Sequence, residues 1–404
     1  MSNPAMGPSE RSAVAPFEVM DVLATVARMR SAGREVISLC AGEPSQGAPS
    51  AVHEAAAAVH TERRALGYTP ALGTAGLRAA IAGHYRSWYG LDLDPREVAV
   101  TTGSSGGFVL AFLAAFDHGD RVALARPGYP AYANILAGLG CAVVDLPTGP
   151  RERYQPTVEQ LEAAHTEAPL AGLVLASPAN PTGTMVDRGE LTAIAAWCSA
   201  HGVRLVSDEI YHGVTYADPA DPDAKGVCAR ELDENAIIVS SFSKYWGMTG
   251  WRLGWLLVPE DLRSAVDALA GNLALCPPAA AQEAAVAAFS PQSYAECESA
   301  LVDFARARDL LLERAPALRW GAAAPADGAF YYWADLGDQL TGFADSGEYA
   351  AALLEATGVA ITPGGDFDPL VGSRCVRLSL AAGPVAIEQA LDRIIAWQDA
   401  QGAG

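Results

Sequence analysis

Short apolar runs recur through the middle of the chain, separated by alanine-rich stretches of helical periodicity. They occupy residues 98–100, 121–125, 142–146, 172–176, 204–207, 236–240 and 253–258. Runs of this length without polar alternation predict strands buried on both faces, and their alternation with helices predicts a mainly parallel sheet. The expected fold class is therefore α/β, with a seven-stranded sheet flanked by helices. In such sheets a ligand binds outside the carboxyl ends of the strands. The residues following these runs are polar or rich in glycine, as in Thr101-Thr102-Gly103-Ser104-Ser105-Gly106-Gly107 after the first, ahead of an apolar helix expected over 108–116.

The flanks carry a different pattern. Residues 17–31 predict a helix with Val19, Val22, Leu23, Val26 and Met29 on one face, preceded by a Pro/Ser/Gly arm that could embrace a partner subunit. From about residue 266 a helical pattern runs through 279–289 and 295–314. Residues 330–336 and 375–380 then read as strands of a smaller sheet. A final helix over 384–399 buries Ile387, Leu391, Ile394, Ile395 and Trp397. The expected division is an arm and helix over 1–45, a large α/β domain over 46–275 and a smaller α+β domain over 276–404.

Composition narrows the function. The chain has 404 residues, half of them hydrophobic, and 27 Lys and Arg against 47 Asp and Glu give a net charge of -20. That charge opposes binding to nucleic acid. Seven cysteines, scattered and without C-x-x-C spacing, suggest neither a disulfide framework nor a zinc site. Residues 1–10 lack the charged and apolar regions of a secretory signal, and the apolar stretch 106–116 is about half the length needed to cross a bilayer. A cytoplasmic protein is expected, with no membrane association. The seven histidines are dispersed and form no metal set; His212, next to Tyr211, could line a pocket but reads more readily as a capping or surface residue.

The segment Ser241-Phe242-Ser243-Lys244-Tyr245-Trp246-Gly247-Met248-Thr249-Gly250-Trp251-Arg252 carries the strongest chemistry. Burial lowers the pKa of a lysine and frees its neutral amine to capture a carbonyl. Arg252 offers a planar fork that matches phosphate oxygens. An aldehyde cofactor bearing a phosphate, pyridoxal phosphate, suits the pair. Four further segments converge on it. Gly103 to Gly107 could present backbone N–H groups to a phosphate, although alone they read as a turn and cap. Ser177-Pro178-Ala179-Asn180-Pro181-Thr182-Gly183 follows a strand and holds Asn180 where it could donate to a phenolate oxygen. Ser207-Asp208-Glu209-Ile210-Tyr211 places Asp208 to pair with a protonated ring nitrogen, so that the ring accepts electrons released at a substrate α-carbon. Tyr211 lies near the phenolate. In Cys375-Val376-Arg377-Leu378-Ser379-Leu380, Arg377 suits a substrate carboxylate. Arg374 competes for that role, and strand alternation sends the two arginines to opposite faces.

In this order the segments resemble the class I/II aminotransferase branch of the fold-type I pyridoxal-phosphate enzymes, over nearly the whole chain. The resemblance implies roles residue by residue. Lys244 looks like the Schiff-base lysine, Arg252 and Ser241 like phosphate ligands, and Asp208 like the partner of the pyridine nitrogen. Asn180 and Tyr211 match the phenolate contacts, Ser104 and Ser105 the phosphate-binding helix start, and Tyr129 the aromatic that stacks on the ring. Gly42 matches the backbone contact to the substrate carboxylate, and Arg377 the carboxylate arginine. Tyr68 matches a tyrosine that reaches the phosphate from a neighbouring subunit, which implies a homodimer with shared active sites. The chain departs from some bacterial aspartate aminotransferases at Ser105, where those relatives carry a lysine. A neutral amino donor, aliphatic or aromatic, is therefore expected, since a buried carboxylate without a cation is costly. The expected reaction is ping-pong transfer of an amino group from an L-amino acid to a 2-oxo acid. The same motifs also serve lyases, decarboxylases and cyclising enzymes on this scaffold, and, remotely, a non-catalytic cofactor-binding effector module.

Overall fold

The computed structural model describes residues 7–402, so residues 1–6 of the expected arm lie outside the described residues. The chain opens with helix α1 (Glu18–Ser31), a short strand β1 (Ile37–Ser38), and helices α2 (Ser50–Thr61) and α3 (Ala75–Tyr89). Strands and helices then alternate as β2 (Val98–Thr101), α4 (Gly103–Ala115), β3 (Arg121–Arg126), α5 (Pro130–Leu139), β4 (Ala142–Pro147), α6 (Val158–Glu167), β5 (Gly172–Ala176), α7 (Arg188–His201) and β6 (Arg204–Asp208). Strands β7 (Ile237–Ser241) and β8 (Gly254–Leu257) complete this part. Helices α8 (Arg263–Leu273), α9 (Ala279–Ala285) and α10 (Pro291–Leu318) lead to β9 (Tyr331–Asp335), α11 (Ser346–Thr357), β10 (Val359–Ala360), β11 (Thr362–Pro363), β12 (Cys375–Ser379) and α12 (Pro384–Gly402).

Seven strands form one sheet in the order β2-β8-β7-β6-β5-β3-β4. Each is one of the seven apolar runs, displaced by at most a residue or two. Strands β3 to β7 pair in parallel, whereas β8 is antiparallel to both β2 and β7. Leu173, Val206, Ile238 and Val239 in the central strands are fully buried, which is why their runs show no polar alternation. The reversal of β8 matters for function. Its first residue, Gly254, pairs with Thr101 at the end of β2 and with Ser241 at the end of β7, so Arg252, just ahead of it, joins the carboxyl edge of the parallel strands.

Helix α4 begins at Gly103, not at Phe108, so the glycine and serine segment forms its first turns rather than a turn preceding it. Packing overrides the low helix propensity of these residues. A Cβ on Gly254 would lie 2.7 Å from Ser104 N, and one on Gly107 would lie 3.2 Å from Leu256 Cδ2. Bare backbone on both sides lets the helix lie directly on β7 and β8.

The smaller sheet has the order β11-β12-β9, antiparallel throughout, with Arg377 opposite Trp333 on one side and Thr362 on the other. Strand β1 pairs in parallel with β10, and Leu39 N donates to Ala360 O, so the segment after α1 is stitched to the carboxyl-terminal part. The described part of the arm runs along α5, where Asn134 Nδ2 donates to Ala15 O. Among the described residues no helix is long and apolar enough to cross a membrane.

Candidate active site

The loop after β7 is pinned before it reaches Lys244. Phe242 packs its ring against Trp255, Trp246 and Phe289 at centroid distances of 5.0, 5.4 and 5.5 Å. The Ser241 hydroxyl accepts from Ser243 N at 3.0 Å and lies 3.1 Å from Leu253 O, to which it can donate. Ser241 is thus engaged within its own turn. Lys244 projects from this fixed base with its Nζ donating to the carbonyl of Gly42 and 5.7 Å from the centre of the Tyr211 ring. Burial, followed by the charges of Arg377 and Arg252, lowers its pKa to about 8, against the opposing pull of Glu43 and Asp208. Roughly a tenth of such amines are neutral at pH 7.

Asp208 is the last residue of β6 and is buried. Its carboxylate accepts a hydrogen bond from Tyr132 Oη and another from Ile210 N at 3.0 Å. Burial nevertheless raises its pKa to about 6, outweighing those donors and Lys244. A carboxylate so placed favours a cationic partner. Tyr211 follows three residues later, its hydroxyl 2.7 Å from that of Tyr331. Burial holds its pKa well above the ordinary phenol value, so it remains a neutral donor.

Arg377, on β12, is buried, whereas Arg374 sits in the turn before that strand, half-exposed and paired with Asp335 at 2.8 Å. The competition between the two is thus resolved by position. The Arg377 guanidinium donates to Asn180 Oδ1 and to Cys40 O, each at 2.9 Å, and lies 4.5 Å from the Tyr331 ring and 4.8 Å from the Phe367 ring. Its buried Nε has no protein partner among the described residues.

Arg252 adopts a left-handed backbone, φ 54°, and Nη1 donates to Thr249 O at 2.7 Å. Its guanidinium lies against the start of α4 so closely that a Cβ on Gly103 would collide with it. A positive helix end and a guanidinium therefore meet at one point, with the half-buried Ser104 and exposed Ser105 in the same turn. This is a cradle for an anion. Gly42 meets Lys244 through its carbonyl, and a Cβ there would be 3.2 Å from Tyr331 Oη. Tyr129, ahead of α5, stacks on Phe17 at 6.3 Å and meets Tyr132 edge-on at 5.4 Å. Tyr68 stands apart from these groups and is 84 % exposed.

His212 departs from expectation. It is neither a cap nor a surface residue but is buried, with Nδ1 2.7 Å from Tyr89 Oη and 3.6 Å from Glu209 Oε2. Burial lowers its pKa to about 3 and raises that of Glu209 to about 8. Gly226 packs against the His212 ring, where a Cβ would lie 2.7 Å away, so the far end of the loop covers a residue that its position after Tyr211 would leave open. Tyr132 and Tyr331 carry contacts that sequence reasoning did not assign. Tyr132 stands one helical turn from Tyr129, which was a usable signal. Tyr331 had none, since its partners come from other elements.

Comparison with known proteins decides the family. The family model described as aminotransferase class I and II matches residues 34–394. The chain belongs to the class I and II aminotransferases. It is 51 % identical over 393 residues to a valine–pyruvate aminotransferase of Mycobacterium tuberculosis, covering 97 % of this chain and 98 % of that relative. Among solved structures it resembles an aminotransferase from Mycobacterium tuberculosis, with TM-score 0.93 and 49 % identity over 98 % of this chain and 100 % of that one. It also resembles the aspartate aminotransferase of Thermus thermophilus with maleate, with TM-score 0.89 and 32 % identity over 97 % and 100 % of the two chains. The protein is a pyridoxal-phosphate-dependent aminotransferase of fold type I, and enzymes of this class attach the cofactor to a lysine. The full sequence of this aminotransferase holds two lysines, Lys225 and Lys244.

Proposed function

We propose that this aminotransferase moves the amino group of a neutral aliphatic or aromatic L-amino acid to a 2-oxo acid in a ping-pong sequence, with Lys244 as its cofactor-binding lysine. The observation that carries the assignment of Lys244 is its surroundings. It is a partly buried amine with a pKa near 8 beside Asp208, Tyr211 and Arg377, whereas Lys225 is bound to Glu298. The residues fit the cofactor. The cradle between Gly103 and Arg252, with Ser104, Ser105 and Ser241, suits a phosphate; Ser241 reaches it by turning its hydroxyl from Leu253. Asp208 suits a protonated ring nitrogen, and its raised pKa reflects a carboxylate that gains from one. Asn180 and Tyr211 suit the phenolate oxygen, and Tyr129 the ring face.

Bound pyridoxal phosphate supplies an electron sink for the pair released when a bond at the substrate α-carbon breaks. The chain supplies the rest. Arg377, with the Gly42 backbone, holds the substrate carboxylate and so aims the α-hydrogen. The neutral Lys244 amine takes that proton and returns it one atom away, for which a pKa near 8 is well suited. Asp208 keeps the ring nitrogen protonated throughout.

The preference for a neutral donor rests on the cations available. Arg377 and Arg252 are the cations that act on Lys244 and on Tyr129, and both have assigned partners. Ser105 adds no charge. The relative named for valine and pyruvate points the same way. The exposed Tyr68 suits contact with a second copy, so a homodimer with shared sites belongs to this reading. So do a cytoplasmic location and the division of the chain into residues 1–45, 46–275 and 276–404. A donor screen tests the central claim. Steady-state kcat/KM should be highest for valine, other aliphatic donors or aromatic ones, and aspartate as the best donor would overturn it.

A further inference from the structure

Tyr331 touches both Tyr211 and Arg377. Its hydroxyl lies 2.7 Å from that of Tyr211, and its ring lies 4.5 Å beneath the Arg377 guanidinium. Both residues are buried. Strand β9 holds it rigidly: Tyr331 pairs with Ser379 of β12, two residues from Arg377 and therefore on the same face. The Tyr331 hydroxyl also closes on the Gly42 backbone, where even a methyl group would meet it at 3.2 Å. That carbonyl in turn accepts from Lys244.

We infer that Tyr331 is a positioning residue with two separable parts: its ring is the platform that fixes Arg377 for the substrate carboxylate, and its hydroxyl donates to Tyr211, strengthening Tyr211 as a donor to the cofactor's phenolate oxygen. The inference rests on the roles proposed above for Tyr211 and Arg377. Its physical basis is simple. A hydroxyl that receives a hydrogen bond becomes a better donor, and a guanidinium over an aromatic face is held by the ring quadrupole. Of the two hydroxyls, Tyr211 is the one with a further acceptor to serve, so Tyr331 is the donor of the pair. The charged groups that act on these two tyrosines or on Lys244 are Asp208 from β6, Arg377 from β12, and Arg252 and Glu43 from loops, and Tyr331 itself acts on Tyr129, ahead of α5, and on Tyr132, within it. Removing the Tyr331 hydroxyl leaves each of those four charged side chains in place.

Two substitutions separate the parts in the cofactor-loaded enzyme. In Tyr331→Phe the ring stays, so the donor KM should remain within about twofold of the parent. The weakened Tyr211 leaves the phenolate oxygen more negative. That oxygen then holds a neighbouring proton more tightly, so the pH midpoint of the visible absorption band should rise by about half a unit. Tyr331→Leu removes the platform as well and should raise the donor KM by about tenfold. Tyr211→Phe is the reference and should shift the midpoint further than Tyr331→Phe. Adding Tyr331→Phe to it should then produce no additional shift, because the first acts through the second. An unchanged midpoint in Tyr331→Phe overturns the inference, and so does an additive shift in the double variant. If Tyr211→Phe itself leaves the midpoint in place, the assignment of Tyr211 fails and this inference falls with it, so the two failures are distinguishable.

Discussion

The two lysines of this chain stand in opposite surroundings, and the difference explains why one suits catalysis. Lys225 lies 5.3 Å over the Trp88 ring and 5.9 Å over that of Tyr245, with its ammonium bound to Glu298. Lys244 also approaches an aromatic ring, that of Tyr211 at 5.7 Å. Yet among the described residues no carboxylate lies within ion-pair distance of it, and burial, ahead of the charge of Arg377, lowers its pKa against the pull of Glu43 and Asp208. Aromatic company is therefore common to both. What separates them is pairing and the loss of water: a carboxylate pairs with Lys225, whereas burial, ahead of the charge of Arg377, loosens the proton on Lys244.

The largest expected effect contrasts the two directly. Lys244→Ala should lower turnover by about 10⁴-fold or more, while Lys225→Ala should stay within about twofold; steady-state assays of both, fully loaded with cofactor, check this. Comparable losses at the two positions would break the comparison. Next in size is the cost of holding Lys244 charged. Its folded pKa of about 8 lies below the ordinary value of 10.5, so the unfolded chain binds the extra proton between those values. Stability contributed at this residue is therefore lowest below pH 8 and recovers as pH rises towards 10.5. Lys244→Met should stabilise the cofactor-free protein by about 3 kcal/mol at pH 7, and the advantage should fade above pH 8. Urea titrations at several pH values measure it, and a constant difference from pH 7 to 10.5 would remove the desolvation argument. The smallest effect concerns the other lysine. Glu298→Gln breaks a partly exposed pair and should cost no more than about 1 kcal/mol, with activity unchanged. A larger loss would show that Tyr245, whose hydroxyl donates to Glu298 at 2.7 Å, depends on that charge.

Much of the frame was legible in the chain because strand burial leaves a direct mark. A strand covered on both faces has no polar positions, and the seven runs state this locally. Strand alternation was expected to separate Arg377 from Arg374, but Arg374 lies in the turn before β12, so burial of the one and exposure of the other separate them instead. The start of α4 was not legible. Glycine and serine are poor helix formers, and only the bare backbone of Gly254, well over a hundred residues away, makes a glycine helix the better choice. The contacts of Tyr331 were hidden for the same kind of reason: they depend on partners from other elements, Tyr211 and Arg377. His212 was misread because its neighbours Tyr89 and Glu209 bury a residue that loop position alone would leave exposed.

The sequence by itself determined the sheet and the family, since these follow from short-range pattern and from motifs whose order is specific, and it supplied the residues proposed above to face the cofactor. Tertiary structure alone decided how the amine at Lys244 behaves. Desolvation and Coulomb interactions act through space, and the charged groups that act here, Glu43, Asp208, Arg252 and Arg377, come from four separate parts of the chain that only folding brings within reach of one nitrogen.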